Sequence, residues 1–179
     1  MADRDSIYRL GGLVELDDAF VGERKSGGKS GRGAEGKTPI LVAVESRDKK
    51  AGFIAMETTS SVSAGNIRQF AQRHLLPWQT TRTDGLMALR VLGETQQHEG
   101  RVTPPEQVDE WLPWVHIVIG NLKAFLLGTY HGVTGKYLQE YLDEFVYRFN
   151  RRVWEPELPS RLLNACMDHT PVRLVAEKS

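Results

Sequence analysis

Cysteine is almost absent from this chain: Cys166 is the only one among 179 residues. No intrachain disulfide and no cysteine-based zinc site can form, which fits a reducing compartment. Long apolar runs are missing as well. None approaches the roughly 18 residues a membrane-spanning helix needs, and the opening MADRDSIYRL has no apolar signal core, so the expectation is a soluble cytoplasmic protein without a membrane partner. An excess of one charge is also lacking, since Lys plus Arg total 23 and Asp plus Glu total 23. Net charge therefore gives no support to a polyanionic partner, and any nucleic-acid surface has to come from local clustering. Internal repeats and coiled-coil heptads are not evident. With 40% apolar residues the chain can bury one good core, so a single domain over residues 1–179 is expected.

The stretch around which the rest is organised is VELDDAFVG, Val14 to Gly22, where two adjacent carboxylates interrupt an apolar strand pattern. Strand geometry sends Asp17 and Asp18 to opposite faces, so only one can face a shared site. A carboxylate on a central strand loses hydration unless something compensates it, and a divalent cation is one such compensation. The alternative is that both acids lie at an exposed strand end.

After this strand comes ERKSGGKSGRGAEGKT, a loop over about 23–38 that carries Arg24, Lys25, Lys29, Arg32 and Lys37 against Glu35. It has too little apolar area to order itself, and its charges suit phosphate contacts on a long polyanion, although a solvated hairpin connection is an equal reading. Gly31, Gly36, Lys37 and Thr38 match the letters of a phosphate-binding P-loop. The context does not match. A working P-loop needs an apolar strand before it and a helix N-terminus after it, whereas Pro39 and the β-branched ILVAVE follow here, so no nucleotide cofactor is expected.

Ile40–Glu45 and Gly52–Thr58 read as a hairpin, giving three antiparallel strands in sequence. Ser60 and Ser61 offer N-cap chemistry for a helix with Ala64, Ile67, Phe70, Ala71 and Leu75 on one face. A fourth strand at Gln79–Thr83 ends at Asp84-Gly85, where an α/β layer fold places site residues, and Leu86–Leu92 reads as a helix. Gly93–Asp109 reads as an irregular connection. Trp114–Ile119 alternates like a fifth strand, Asn121 begins a short helix, and Thr134 caps a long helix to about Arg152 with the apolar stripe Leu138, Tyr141, Leu142, Phe145 and Phe149. A last helix follows from about Leu158 to Met167, so C-terminal helices occupy about 134–167. Arg148, Arg151 and Arg152 close the long helix, where the helix dipole alone favours cations, so a DNA contact and a purely structural role compete evenly. Glu144 precedes Arg148 by four residues, which favours a paired, solvated helix face over a role for Glu140 and Glu144 as site acids. His116 is as readily a half-buried strand residue as a site residue.

The order strand, strand, strand, helix, strand, helix, strand, helix is that of the ribonuclease H-like α/β fold, with a five-stranded mixed sheet flanked by helices. The pieces VELDDAFVG, GRGAEGKTPILVAVE, RTDG, HIVIGNLKAFLLGTYHGV and LQEYLDEFVYRFNRR resemble, in order, the ISXO-like branch of bacterial insertion-sequence transposases of the DDE type. RTDG alone is weak; the ordered set is specific and covers nearly the whole chain. The resemblance implies DNA strand cleavage and strand transfer at two Mg²⁺ or Mn²⁺ ions, on transposon ends and target DNA, by a homo-oligomer assembled on DNA. It implies Asp17 and Asp84 as the first two metal-binding carboxylates, Asn121 at the third position and Lys123 beside it. Glutamate commonly stands third in this fold. Asn121 offers a carbonyl oxygen without negative charge, and if both residues are fully helical Lys123 cannot share its side.

Transposases of this kind resemble two-part machines whose N-terminal zinc ribbon and helix-turn-helix recognise the element's ends. This chain starts a few residues before the catalytic strand and has no cysteine pair, so the expectation is a truncated catalytic domain. A catalytically inactive remnant that binds DNA non-specifically is the competing reading.

Overall fold

The computed structural model describes residues 8–22, 37–104, 107–130, 133 and 135–168. Three strands come first: β1 (Leu13–Val21), β2 (Thr38–Arg47) and β3 (Lys50–Thr58). Helix α1 (Ala64–His74), β4 (Thr80–Asp84), a 3₁₀ helix at Met87–Glu94 and β5 (Gln97–Arg101) follow. The helices α2 (Val108–Trp111), α3 (Pro113–Thr129), α4 (Leu138–Asn150) and α5 (Leu158–Asp168) complete the order. The sheet runs β3-β2-β1-β4-β5, with β1 antiparallel to β2, β2 antiparallel to β3, and β1, β4 and β5 parallel. This is the ribonuclease H-like α/β arrangement, a five-stranded mixed sheet with helices on both faces.

Alternation along the strands builds two cores. On one face Ala19, Val21, Ile40, Val42, Val44, Ile54 and Met56 pack beneath α3 and α4. On the other, Val14, Leu16, Leu41, Ala43 and Ala55 meet Ile67, Phe70 and Ala71 of α1 and Leu89 and Leu92 of the 3₁₀ helix. Asp17 therefore shares the α3 face and Asp18 the α1 face, as the period of two requires. Neither lies at an exposed strand end: Asp18 is 8% exposed and the Asp17 side chain 13%.

Three elements differ from expectation. Trp114–Ile119 is helical, part of α3, because Val115, Val118, Ile119, Leu122 and Leu126 are all buried and repeat at helical spacing over a longer window than the six alternating residues. Pro113 stands in the first turn, where its missing N–H costs nothing. The fifth strand is instead Gln97–Arg101, inside the stretch expected to be irregular; it pairs with β4 from Thr80↔Gln97 to Asp84↔Arg101. Helix α1 is capped by Ser63, whose Oγ accepts the Asn66 N–H, while Ser60 and Ser61 bond the Asn66 side chain. Thr134, Gly31 and Gly36 lie outside the described residues. Thr38 begins a strand rather than a helix, so the P-loop letters lack the structure that would make them bind phosphate.

The outer edge of β3 is closed by side chains from α4 and the residues just after it. Asn150, 3% exposed, accepts the Ile54 N–H at 2.8 Å and donates to the Ile54 carbonyl at 3.0 Å. Gln139 accepts the Thr58 N–H at 2.8 Å and donates to the Met56 carbonyl at 3.4 Å. Arg152 donates to the carbonyls of Gly52 and Ala51. Backbone groups that would otherwise template another strand are thus occupied.

Candidate active site

Asp17 projects from the middle of β1 toward α3. Its Oδ1 accepts the Asp18 N–H at 2.8 Å, and its Oδ2 lies 3.3 Å from His116 Nε2. A groove of about 500 Å³ opens here, lined by Asp17, Asp18, Phe20, Lys37, His116, Ile119, Gly120 and Lys123. Lys37 enters just before β2 and Lys123 from the third turn of α3, and among the described residues neither makes an ion pair. Two cations thus face a groove that also holds carboxylates, an arrangement that can accept phosphate oxygens beside a metal.

Asp84 is the last residue of β4. The final registered pair between β1 and β4 is Leu16↔Thr83, so Asp17 and Asp84 occupy the next position on neighbouring parallel strands and share a face, with strands spaced about 4.8 Å apart. Asp84 Oδ1 accepts the Leu86 N–H at 3.0 Å, which fixes the turn after the strand. The backbone there is held from both sides: Thr83 Oγ1 donates to the Asp84 carbonyl at 2.8 Å and lies 2.8 Å from His98 Nε2, and Trp111 Nε1 donates to the Thr83 carbonyl at 2.9 Å. Burial, with a smaller contribution from Arg90, lowers the His98 pKa and favours its neutral form. At Gly85 a Cβ would come within 3.1 Å of the Val102 Cα, so the close approach requires glycine. Asp84 lines its own depression of about 190 Å³, with Arg90, His98 and Val102, rather than the groove at Asp17.

The structure brings Asp17, Lys37 and Lys123 together, with Asp84 one strand away. Asn121 is exposed and does not line the groove. Both Asn121 and Lys123 are fully helical, and as expected for that case they do not share a side. Arg24, Lys25, Lys29 and Arg32 lie outside the described residues. The arginines at the end of α4 and just after it make contacts within the protein: Arg148 pairs with Glu144 at 3.0 Å, Arg151 stacks on Tyr147, and Arg152 stacks on Phe149 while bonding the start of β3.

Sequence reasoning missed Glu15. Two residues before Asp17 on the same face, it is 1% exposed, and its Oε2 accepts the N–H groups of Trp114 at 2.8 Å and Val115 at 2.9 Å. A carboxylate on β1 therefore caps α3 from across the fold and sets the height of His116 and Lys123 relative to Asp17. Burial raises the Glu15 pKa, and the two backbone amides oppose that rise. The available signal was an acid at period two from Asp17 inside an apolar strand.

Among the described residues no three His, Cys, Asp or Glu side chains already converge into a metal site. The donor chemistry nonetheless fits a divalent ion: two carboxylates on adjacent strands, with an imidazole nitrogen facing one of them. No helix among the described residues is long and apolar enough to cross a membrane. Compared with known protein families, residues 9–150 match the ISXO2-like transposase domain. Among curated proteins none matches the chain.

Proposed function

The chain belongs to the ISXO2-like transposase domain family, and from that premise we propose that it cuts and joins DNA strands by metal-dependent phosphoryl transfer. The observation that supports this reading best is that Asp17 and Asp84 each stand immediately after Leu16↔Thr83, the last registered pair of the neighbouring parallel strands β1 and β4. A divalent ion held there by Asp17 and Asp84 would polarise the scissile phosphate and activate the attacking oxygen, and paired ions do this for both attacking and leaving oxygens. Lys37 and Lys123 draw phosphate oxygens into the groove and neutralise their charge. Glu15 holds α3 so that this flank does not shift away from β1. In strand cutting, water attacks phosphorus and the 3′-oxygen leaves with a proton; in joining, that 3′-hydroxyl loses its proton and attacks the target phosphate, whose own 3′-oxygen leaves with a proton, so one site serves both steps. DNA is the partner, and assembly of more than one copy on the DNA brings two ends together.

A second reading, an inactive remnant that only holds DNA, draws support from the exposed position of Asn121 outside the groove. Nicking of supercoiled DNA in Mn²⁺ or Mg²⁺, with Asp17→Asn and Asp84→Asn in parallel, separates the two. Metal-dependent nicking lost in both variants supports the enzyme; salt-sensitive DNA binding without any nicking supports the remnant.

A further inference from the structure

We propose that Arg101 and Arg90 hold the DNA backbone on the β5 side of Asp84, opposite the lysines of the Asp17 groove, so that phosphates on both sides of the scissile one are bound. The inference rests on the DNA-acting reading above. Arg101 ends β5, and the register Asp84↔Arg101 places it across from Asp84 on the same face of the sheet. The pair Arg82↔Glu99 shares that face. There Arg82 Nε meets Glu99 Oε2 at 3.0 Å, so those two charges offset each other. Arg101 is exposed and, among the described residues, forms no ion pair; its hydrogen bond from Nη2 to Gln107 Oε1 is 3.5 Å long. The ring of Trp111, tied to the Thr83 carbonyl through Nε1, stands 4.7 Å from the Arg82 guanidinium and 5.7 Å from that of Arg101. A guanidinium supported by an aromatic ring loses less freedom when it binds phosphate.

Arg90 reaches the same strand end from the other layer. It is exposed on the 3₁₀ helix and lines, with Asp84, Gly85 and Val102, the depression of about 190 Å³ at the end of β4. Among the described residues it too forms no ion pair. Asp84 is therefore bracketed by two arginines, while Lys37 and Lys123 stand in the groove on the Asp17 side. A carboxylate repels a phosphate chain passing close by, and cations at both ends of the carboxylate pair offset that repulsion. From Asp17 to Arg101 is two strand spacings, about 10 Å, or about three nucleotides of one DNA strand at roughly 3.4 Å each. A strand held by the lysines alone is free to swing about its anchored end. The arginine forks fix the other end and keep the scissile phosphate over the carboxylates.

The test is binding of a fluorescein-labelled DNA duplex of arbitrary sequence to the full chain, read by anisotropy over a series of salt concentrations. The double variant Arg90→Ala/Arg101→Ala should flatten the slope of log affinity against log salt by about two units, and Arg90→Lys/Arg101→Lys should restore most of it because the charges are kept. Recovery in the lysine variant separates a lost charge contact from a lost fold. An unchanged slope in the alanine variant, alongside a slope that still falls in Lys37→Ala/Lys123→Ala, would overturn this inference and leave the proposed function standing. So would a lost slope that the lysine variant does not restore and that comes with a lowered thermal midpoint, since the arginines would then be structural. Absence of salt-sensitive DNA binding by the unsubstituted chain would remove both.

Discussion

The outer edge of β3 and the groove at Asp17 are both lined by polar side chains and use them in opposite ways. At the edge, Asn150, Gln139 and Arg152 are each matched to backbone groups of β3. In the groove, Lys37 and Lys123 stand beside Asp17 and His116 with no ion pair of their own among the described residues. Polar groups matched to backbone stabilise the fold, and polar groups left to face a groove are available to a ligand. Residue type alone does not separate these roles: Arg148, Arg151 and Arg152 at the end of α4, expected as DNA contacts, also pair or stack within the protein, while Lys37, expected to contact DNA, and Lys123, expected in the catalytic set, face the groove.

The sharpest way to break this comparison is to exchange the consequences. Asp17→Asn should reduce metal-dependent nicking by more than about a hundredfold, beyond what outer partners of metal ligands usually cost, with the thermal midpoint nearly unchanged. A large drop in that midpoint would mean that the groove is structural after all. Asn150→Ala should do the reverse. It leaves the buried N–H and C=O of Ile54 unmatched, for a loss of about 2–4 kcal/mol in urea unfolding, and Mn²⁺ affinity measured under native conditions should not move.

Charge contacts sharpen the contrast further. Lys37→Ala and Lys123→Ala should each reduce the salt slope of DNA binding by about one unit, whereas Arg152→Ala should leave the slope alone and lower stability by about 1 kcal/mol. An equal change of slope in Arg152→Ala would place DNA on the α4 end instead. The smallest effect belongs to Glu15. Its folded pKa is raised above the ordinary value of 4.5, so the folded state holds the proton more tightly and its contribution to stability declines as pH rises from 4.5 through the folded value. Glu15→Gln keeps an acceptor for the α3 amides and should flatten that decline in unfolding curves taken at a series of pH values.

Much of this was legible in the chain. The three antiparallel strands, the period of two that separates Asp17 from Asp18, and the acid at the end of β4 follow from local pattern, because each is written in neighbouring residues. Strand β5 was not legible, since four of its five residues are exposed and no apolar alternation marks them; its pairing with β4 is decided by backbone bonds alone. WVHIVI misled because β-branched residues alternate there while the burial repeat extends to Leu126, and because the cap that starts the helix comes from Glu15, 99 residues earlier. Reading Asn121 as the start of a helix followed from that same error. Placed in the third turn, it is carried round to the flank away from Asp17.

Gly120 gives this flank an opening rather than a contact. Nothing lies within 4 Å of where its Cβ would stand, and it sits one turn after His116 in the groove that Asp17 lines. Helix interiors tolerate glycine at a penalty of about 1 kcal/mol relative to alanine, so replacing it need not weaken α3. A single base change converts a glycine codon of the GGA or GGG type to glutamate. The fold therefore leaves room for an acid on the groove side of α3, one substitution away and next to Asp17.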